Sequence, residues 1–501
     1  MNEDKTSYEI KFDEIKKKLK ELEEERIRQG IVKDNTKKEE SILEINEEKI
    51  NDNKEIEKTL VLEPIEKNNK ENKKNDNKKE KKVKTDILTI ILSFLVPSLL
   101  VLSVIGLNST YLLRKPFNYI IMGLALISIT LLIYKIVRKI KNKGKNAKHK
   151  RSSKIIFYIF VSLYALGCSS FLFILYGPID NFRNWLITTA MQTMNHQYLC
   201  KWFYSDKTIN YVLSQNYVLE SGESTDTSLI TKEEKIEYAN EYEEAILKRD
   251  KDAKYKIIEL DVNGCKGYLA AIYDPSKVKL AVTQNLGYSG QYVTTMAKNN
   301  NAILAINGGG FSDPGNSSMG GTPTGITISN GKLLTYGQYG TQTQSGGIIG
   351  FTNDNVLVLL KNTSSQEALN MGVRDAVTWG PFLIVNGTPS FIKGNGGWGY
   401  AARTAIGQRE DGIVLFLAVN SNASRTNGAD MVDLTEIMQR YGAVNAANLD
   451  GGTSTVMVLP QKEALNYRSD CVDAYCYIND PIDGALRHQT RAIADAWIVT
   501  E

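Results

Sequence analysis

Three long apolar stretches of the chain carry no charged side chain: Ile87–Leu107 over 21 residues, Phe117–Tyr134 over 18 and Ile155–Tyr176 over 22. At ~1.5 Å of rise per residue, each predicts a helix long enough to cross a hydrocarbon layer ~30 Å thick. Pro97 lies inside the first, a position that membrane helices tolerate. Beyond them, Trp185, Met191, Met194, Tyr198 and Trp202 predict one helix leaving the membrane, and the Glu/Lys/Ala/Tyr-rich stretch 232–249 predicts another. Residues 178–252 therefore read as a helical stalk. From Tyr255 the period shortens: Lys256–Val262 alternates, and 267–273 and 278–282 are further strands. Asn330-Gly331, Asn353-Asp354-Asn355 and Glu410-Asp411-Gly412 each separate two apolar runs and predict hairpins. Helices are fewer, at 292–299 and at 431–441 before Gly442. The expected fold class over 253–501 is α+β around a large mixed or antiparallel sheet.

Charge divides the rest. Residues 1–86 hold 24 acidic and 23 basic side chains, one Pro and one Gly. Such a segment cannot bury enough apolar area to offset its ordering entropy and is expected to be mostly disordered. Tyr8, Phe12, Ile15, Leu19 and Leu22 form a short heptad-like stripe, and the Lys/Asn-rich stretch 67–84 reads as a tether beside a membrane. The loop Lys135–Lys154 carries ten basic residues and no acid, whereas the loop 108–116 holds only Arg114 and Lys115. Positive loops stay in the cytoplasm. The expected arrangement is a multi-pass membrane protein with residues 1–86 cytoplasmic, three spans within 87–177, and everything after Gly177 extracytoplasmic. A formal net charge of only +4 over 501 residues argues against a nucleic-acid-coating protein.

Five cysteines are present, at 168, 200, 265, 471 and 476; the last two are close enough in sequence to close a small loop, though spacing alone does not fix pairing. Histidine is confined to His149, His196 and His488, so a His-rich zinc site is not expected. Carboxylates and Asn beside a phosphate are compatible with Ca²⁺ or Mg²⁺, but no EF-hand-like spacing occurs.

Chemistry-bearing residues cluster at glycines. The apolar run Ala302–Ile306 ends in Asn307-Gly308-Gly309-Gly310, which reads as a tight turn or as a backbone nest for an anion. Asn448-Leu449-Asp450-Gly451-Gly452-Thr453-Ser454 holds a carboxylate between apolar strands, flanked by hydroxyls. An aspartate in such a frame is either a turn residue or one with a perturbed pKa fit for nucleophilic or acid/base work. Arg403-Thr404 and Arg491 open two further apolar runs. Arginine there is a surface ion-pairing group or a planar fork for phosphate.

Taken in order, AINGGGF, WGPFLIVNG, RTAIG, NLDGGTSTVMV and TRAIADAWIV resemble the phosphodiester glycosidase family over about residues 255–501. That family includes the uncovering enzyme, which removes N-acetylglucosamine from a sugar-1-phosphodiester, and bacterial proteins described as exopolysaccharide-related. The resemblance implies a membrane-anchored cell-envelope hydrolase acting on an anionic glycan or sugar phosphate. It places substrate contacts on Asn307, Gly308, Gly309, Thr404, Asn448, Gly451, Gly452, Thr453, Ser454 and Arg491. Where members often carry Asp-Gly-Arg, this chain reads Asn420-Ser421-Asn422.

A sugar-1-phosphodiester has a good leaving group, so its cleavage asks for a cation clamp and a carboxylate near the anomeric carbon. Arg403 and Arg491 are expected to form the clamp, Asp450 to be the nucleophile or the base for water, and the N–H groups at Gly308–Gly310 and Gly451–Gly452 to add donors. Glycosidases commonly use a second carboxylate, for which Asp313, Asp375 and Asp495 are unranked candidates. Two other functions fit the same residues. One is a non-catalytic glycopolymer-binding module with Tyr339, Trp398 and Tyr400 as stacking surfaces. The other is a transferase that moves a glycosyl phosphate onto a wall acceptor.

Overall fold

The computed structural model describes residues 87–109, 115–141, 151–193, 197–233, 238–312, 319–337, 340, 345–423, 427–483, 486, 487 and 490–501. The charged tail with its heptad-like stripe, and residues 142–150 of the basic loop, lie outside them.

Helices α1 (Ile87–Asn108), α2 (Lys115–Lys141) and α3 (Arg151–Tyr176) coincide with the charge-free stretches and are long and apolar enough to cross a membrane. Their outward faces keep Leu126, Ile127, Phe160 and Leu163 exposed, as a lipid-facing surface requires. Ser98 and Tyr164 share a 2.7 Å hydrogen bond between α1 and α3.

The single helix expected after the spans is two: α4 (Asp180–Met191) and α5 (Gln197–Phe203), followed by α6 (Asp206–Gln215). The break lets Cys200 of α5 pack under α4, where its thiol meets the Leu186 carbonyl at 3.3 Å. Nor does this region stand apart as a stalk. Tyr217–Leu219 pairs antiparallel with Phe391–Lys393. Asn395 donates to the Thr188 hydroxyl at 2.8 Å, Gln192 to the Gly397 carbonyl at 3.1 Å, and the Leu359 N–H to Thr225 at 2.8 Å. Glu220 is buried, accepting the Phe382 N–H at 2.8 Å and pairing with Lys361 at 2.6 Å. A buried carboxylate needs such partners, and finding them draws the segment onto the sheet. The helix expected over 232–249 is limited to Glu241–Leu247, with residues 234–237 outside the described set.

The α+β expectation holds, but the large sheet is divided. One sheet has seven strands, in the order Thr388–Pro389, Phe382–Val385, Ala443–Asn448, Arg403–Arg409, Val414–Val419, Cys265–Ile272, Tyr255–Val262. A second has five: Tyr475–Tyr477, Met457–Pro460, Leu304–Asn307, Asp495–Val499, Val278–Val282. A third, also five-stranded, is built on Val373–Trp379. The neighbouring strands in these sheets are antiparallel. All three predicted hairpins form, with Asn330 and Gly331 at φ 50° and 71° and Gly412 at φ 87°.

Strand Val414–Val419 shows how the layers stack. Its side chains alternate between two cores. Val414, Phe416 and Ala418 face Phe351, Leu359, Met457 and Trp497 of the two smaller sheets. Leu415, Leu417 and Val419 face Leu434 and Met438 of helix Met431–Arg440. Helix Val293–Asn299 covers the outer side of the second sheet through Val293, Met296 and Ala297. The result is an α/β/β/α stack, in which each fully buried Leu or Phe contributes roughly 1.5–3 kcal/mol. Cys471 and Cys476 form a disulfide.

Removing the Glu220 carboxylate tests whether residues 217–230 are integral to the fold. Glu220→Ala strands Lys361 and the Phe382 N–H, and is expected to cost about 3 kcal/mol in denaturant unfolding of the detergent-solubilised full chain. A loss under about 0.5 kcal/mol would mean the segment is an appendage.

Candidate active site

The site lies where the seven-stranded and second sheets end together. Asn448 closes a strand of the first sheet, Met457 opens a strand of the second, and residues 449–456 cross between them. On the seven-stranded sheet Ala405 pairs with Asn448, and on the second Asn307 pairs with Ala496. Thus Arg403, Asn307 and Asp495 all sit at strand ends facing the crossing segment that bears Asp450.

Asn307, fully buried, fixes that segment. Its amide N–H donates to the Asp450 carbonyl at 2.7 Å. Its Oδ1 accepts the Thr404 hydroxyl at 2.7 Å and the Val456 N–H at 3.1 Å. The Asp450 N–H bonds the Gly308 carbonyl at 3.2 Å and the Leu449 N–H the Thr404 carbonyl at 2.9 Å. Asn307 and Thr404 therefore hold Asp450 rather than present polar groups outward.

The Asp450 side chain is partly buried. Burial raises its pKa; the Ser454 side chain, the Gly451 N–H and the charges of Arg491 and Arg403 oppose that rise. The second carboxylate beside it is Asp495. It is 1% exposed, accepts the Gly309 N–H at 2.8 Å on Oδ1, and has no partner for Oδ2 among the described residues. Burial, with a further push from the Asp450 charge, raises its pKa to about 7. The sequence ranked Asp495 no higher than two others. Asp375 is engaged elsewhere, pairing with Arg374 and accepting the Asn330 N–H at 3.0 Å. Asp313 and the stacking candidate Tyr339 lie outside the described residues.

The glycines serve contact rather than anion binding. A Cβ on Gly308 would overlap Asp495 Oδ1, and one on Gly310 would overlap the Trp379 ring. The Gly308 N–H bonds the Asp495 carbonyl at 3.1 Å and that of Gly309 bonds its carboxylate. The Gly452 N–H bonds the Ala402 carbonyl at 2.7 Å and that of Gly451 bonds Asp450. The expected donor nest is thus already satisfied internally at four of its five positions. Asn448 donates to the Gly380 carbonyl at 2.8 Å and its buried Oδ1 has no partner among the described residues, while the Thr453 carbonyl accepts from Thr490 at 3.2 Å.

Arg403 is buried, with Nη2 bonded to the Trp398 and Gly399 carbonyls (2.8 Å to the latter) and Nε to Ala429 at 3.3 Å. Only Nη1 faces Gly451, so the full fork expected for a phosphate is not presented. Burial lowers its pKa to about 10, against the pull of Asp430 and Asp450, and it remains a cation at neutral pH. Asp430, missed in the sequence, balances it. Its carboxylate caps helix Met431–Arg440 through the Val432 and Asp433 N–H groups at 2.8 and 3.0 Å, so its D-x-x-D pattern reads as a cap. Trp398 stacks edge-on to Trp379 at 6.0 Å and lies under Arg403 at 5.9 Å. Arg491 lies over the Phe311 ring at 5.6 Å. Among the described residues no group of three or more His, Cys, Asp or Glu side chains is arranged to hold a metal ion. A cavity of about 430 Å³ lies away from the site, beside the Cys471–Cys476 loop.

Residues 300–500 match the phosphodiester glycosidase family. The matched stretch contains Asn307, Arg403, Asp450, Arg491 and Asp495, but strands Tyr255–Val262, Cys265–Ile272 and Val278–Val282 precede it. A prophage-derived protein of Bacillus subtilis, YomE, is 25% identical over 215 residues, which span 42% of this chain and 29% of that protein. Among solved structures, the catalytic domain of zebrafish N-acetylglucosamine-1-phosphodiester alpha-N-acetylglucosaminidase, auto-inhibited by its pro-peptide, is 20% identical with a TM-score of 0.37, covering 51% of this chain and 86% of that one. A hypothetical protein from Synechocystis is 17% identical with a TM-score of 0.30, covering 49% and 61%.

The buried carboxyl of Asp495 gives a pH signature. Asp495 is raised from 3.8 to about 7 on folding, so the folded chain binds the extra proton between those values. Its contribution to stability is present at low pH and is lost as pH rises through that window, on the order of 2–4 kcal/mol. Asp495→Asn is expected to flatten the fall in melting temperature between about pH 5 and about pH 8; an unchanged slope would show that Asp495 is not the titrating group.

Proposed function

We propose that the chain is a membrane-anchored, extracytoplasmic hydrolase that cleaves the glycosidic bond of a sugar-1-phosphodiester in a cell-surface glycopolymer or exopolysaccharide. The observation that carries this is the Asp450 carboxylate, on a backbone whose carbonyl Asn307 holds, lying in the field of two guanidinium groups with a second carboxyl behind it. The family match over residues 300–500 supports the reaction class, and the basic loop Lys135–Lys154 supports the extracytoplasmic placement.

In the reaction, the bond between the anomeric carbon and the phosphate oxygen breaks, and the electron pair leaves with the phosphate. Water supplies OH to the anomeric carbon, and its proton leaves through carboxylate and solvent. Two adjacent carboxyls do not ionise together easily. Near neutral pH Asp495 holds a proton for part of the time, leaving the negative charge on Asp450, which acts as nucleophile or as base for water. Asp495 is too buried to touch substrate and acts as a positioning residue behind Asp450. Arg491, with Nη1 of Arg403, offsets charge gathering on the phosphate.

Sugar release from a sugar-1-phosphodiester by the full chain tests this reading. Asp450→Asn is expected to lower turnover by about 10³-fold or more, roughly 4 kcal/mol of barrier. Retention within about tenfold would reject the assignment. Arg403→Lys keeps the charge but loses the carbonyl bonds, and is expected to lower both turnover and melting temperature. Products heavier than the donor when an acceptor is supplied would show a transferase instead.

A further inference from the structure

Two exposed aromatic rings on α5 are not used by the site. Tyr198 and Trp202 lie one turn apart with centroids 4.7 Å from each other, and are 42% and 37% exposed. The opposite side of the helix buries Cys200.

The height of α5 relative to the spans is fixed by hydrogen bonds. Ser109, just past the end of α1, donates to the Lys201 carbonyl at 2.8 Å. Tyr176, the last residue of α3, donates to the Phe203 carbonyl at 2.8 Å. Tyr204 donates to the Leu175 carbonyl at 3.0 Å, and Phe171 of α3 packs edge-on to Phe203 at 6.1 Å. Helix α5 is therefore tied to the ends of two spans that finish on the same side. If α1 and α3 cross a bilayer, that level is the headgroup layer, where rings with one apolar and one polar end are enriched.

We propose that α5 lies in the interfacial layer of the membrane, with Tyr198 and Trp202 seated among lipid headgroups, so that the domain stands directly on the bilayer. The occupant is lipid rather than a protein because α5 is held against the ends of α1 and α3, whose large exposed side chains are apolar. The inference rests on the spans crossing, not on the reaction assigned above.

Full-length protein in phosphatidylcholine vesicles, with bromine near the headgroup or at the chain end, tests it by tryptophan fluorescence. Headgroup-proximal bromine is expected to quench more than chain-end bromine, and Trp202→Phe is expected to lose most of that difference. Should Trp202→Phe fail to fold, Tyr198→Trp adds a reporter one turn away and must raise the quenched fraction. Equal quenching in the parent and in Trp202→Phe, stronger quenching from the chain end, or extraction of the protein by alkaline carbonate would each overturn the proposal.

Discussion

One side-chain amide, that of Asn307, bonds two backbone groups and a hydroxyl from outside its own strand. It holds the Asp450 carbonyl, and its oxygen takes the Thr404 hydroxyl and the Val456 N–H. These bonds tie the end of the second sheet's central strand to the seven-stranded sheet and to both ends of the crossing segment. Because Asn307 is fully buried, losing any of the three would leave an uncompensated polar group in the interior, a cost of roughly 1–3 kcal/mol each. The amide therefore sets the register in which the two sheets meet, and with it the place of the carboxylate between them.

The electrostatics follow from that register. Asp495 is carried to the strand end beside Asn307, where two glycine N–H groups hold it. Arg403 is carried to the corresponding end of the other sheet and is held by three carbonyls. Neither group is free to relax when charge changes near Asp450. The arginine gives up most of its hydrogen-bonding capacity to stay in place, so its influence on a ligand is mainly that of a fixed positive charge.

Much of this was legible in the chain. Apolar stretches of 18 residues or more without a charge have few outcomes besides a membrane helix, and Asn-Gly or Asp-Gly between apolar runs specifies a local hairpin. The motif segments around Asn307, Arg403 and Asp450 could be picked out because glycines interrupt apolar strands there. What could not be read depended on contacts distant in sequence. Asp495 meets Gly309 across 186 positions, and nothing near Asp495 marks it apart from Asp375. Asp430 is hidden by its role as a helix cap. Glycines that look like an anion nest instead allow close approach of Asp495 and Trp379. The apparent stalk is drawn onto the sheet by Glu220 and Asn395, whose partners lie more than 140 residues away.

That strap limits how the domain can be released from its anchor. Gly394–Gly399, whose carbonyls grip Arg403 at Trp398 and Gly399, are themselves tied to Thr188, Gln192 and Asn216. A cut anywhere within α4 to α6 would separate the seven-stranded sheet from part of its own bracing. A cut in the short link Gly177-Pro178-Ile179 would leave that bracing whole, with α5 still bonded to the ends of α1 and α3. Severing the chain at that link would thus not by itself part the sheets from the three apolar helices.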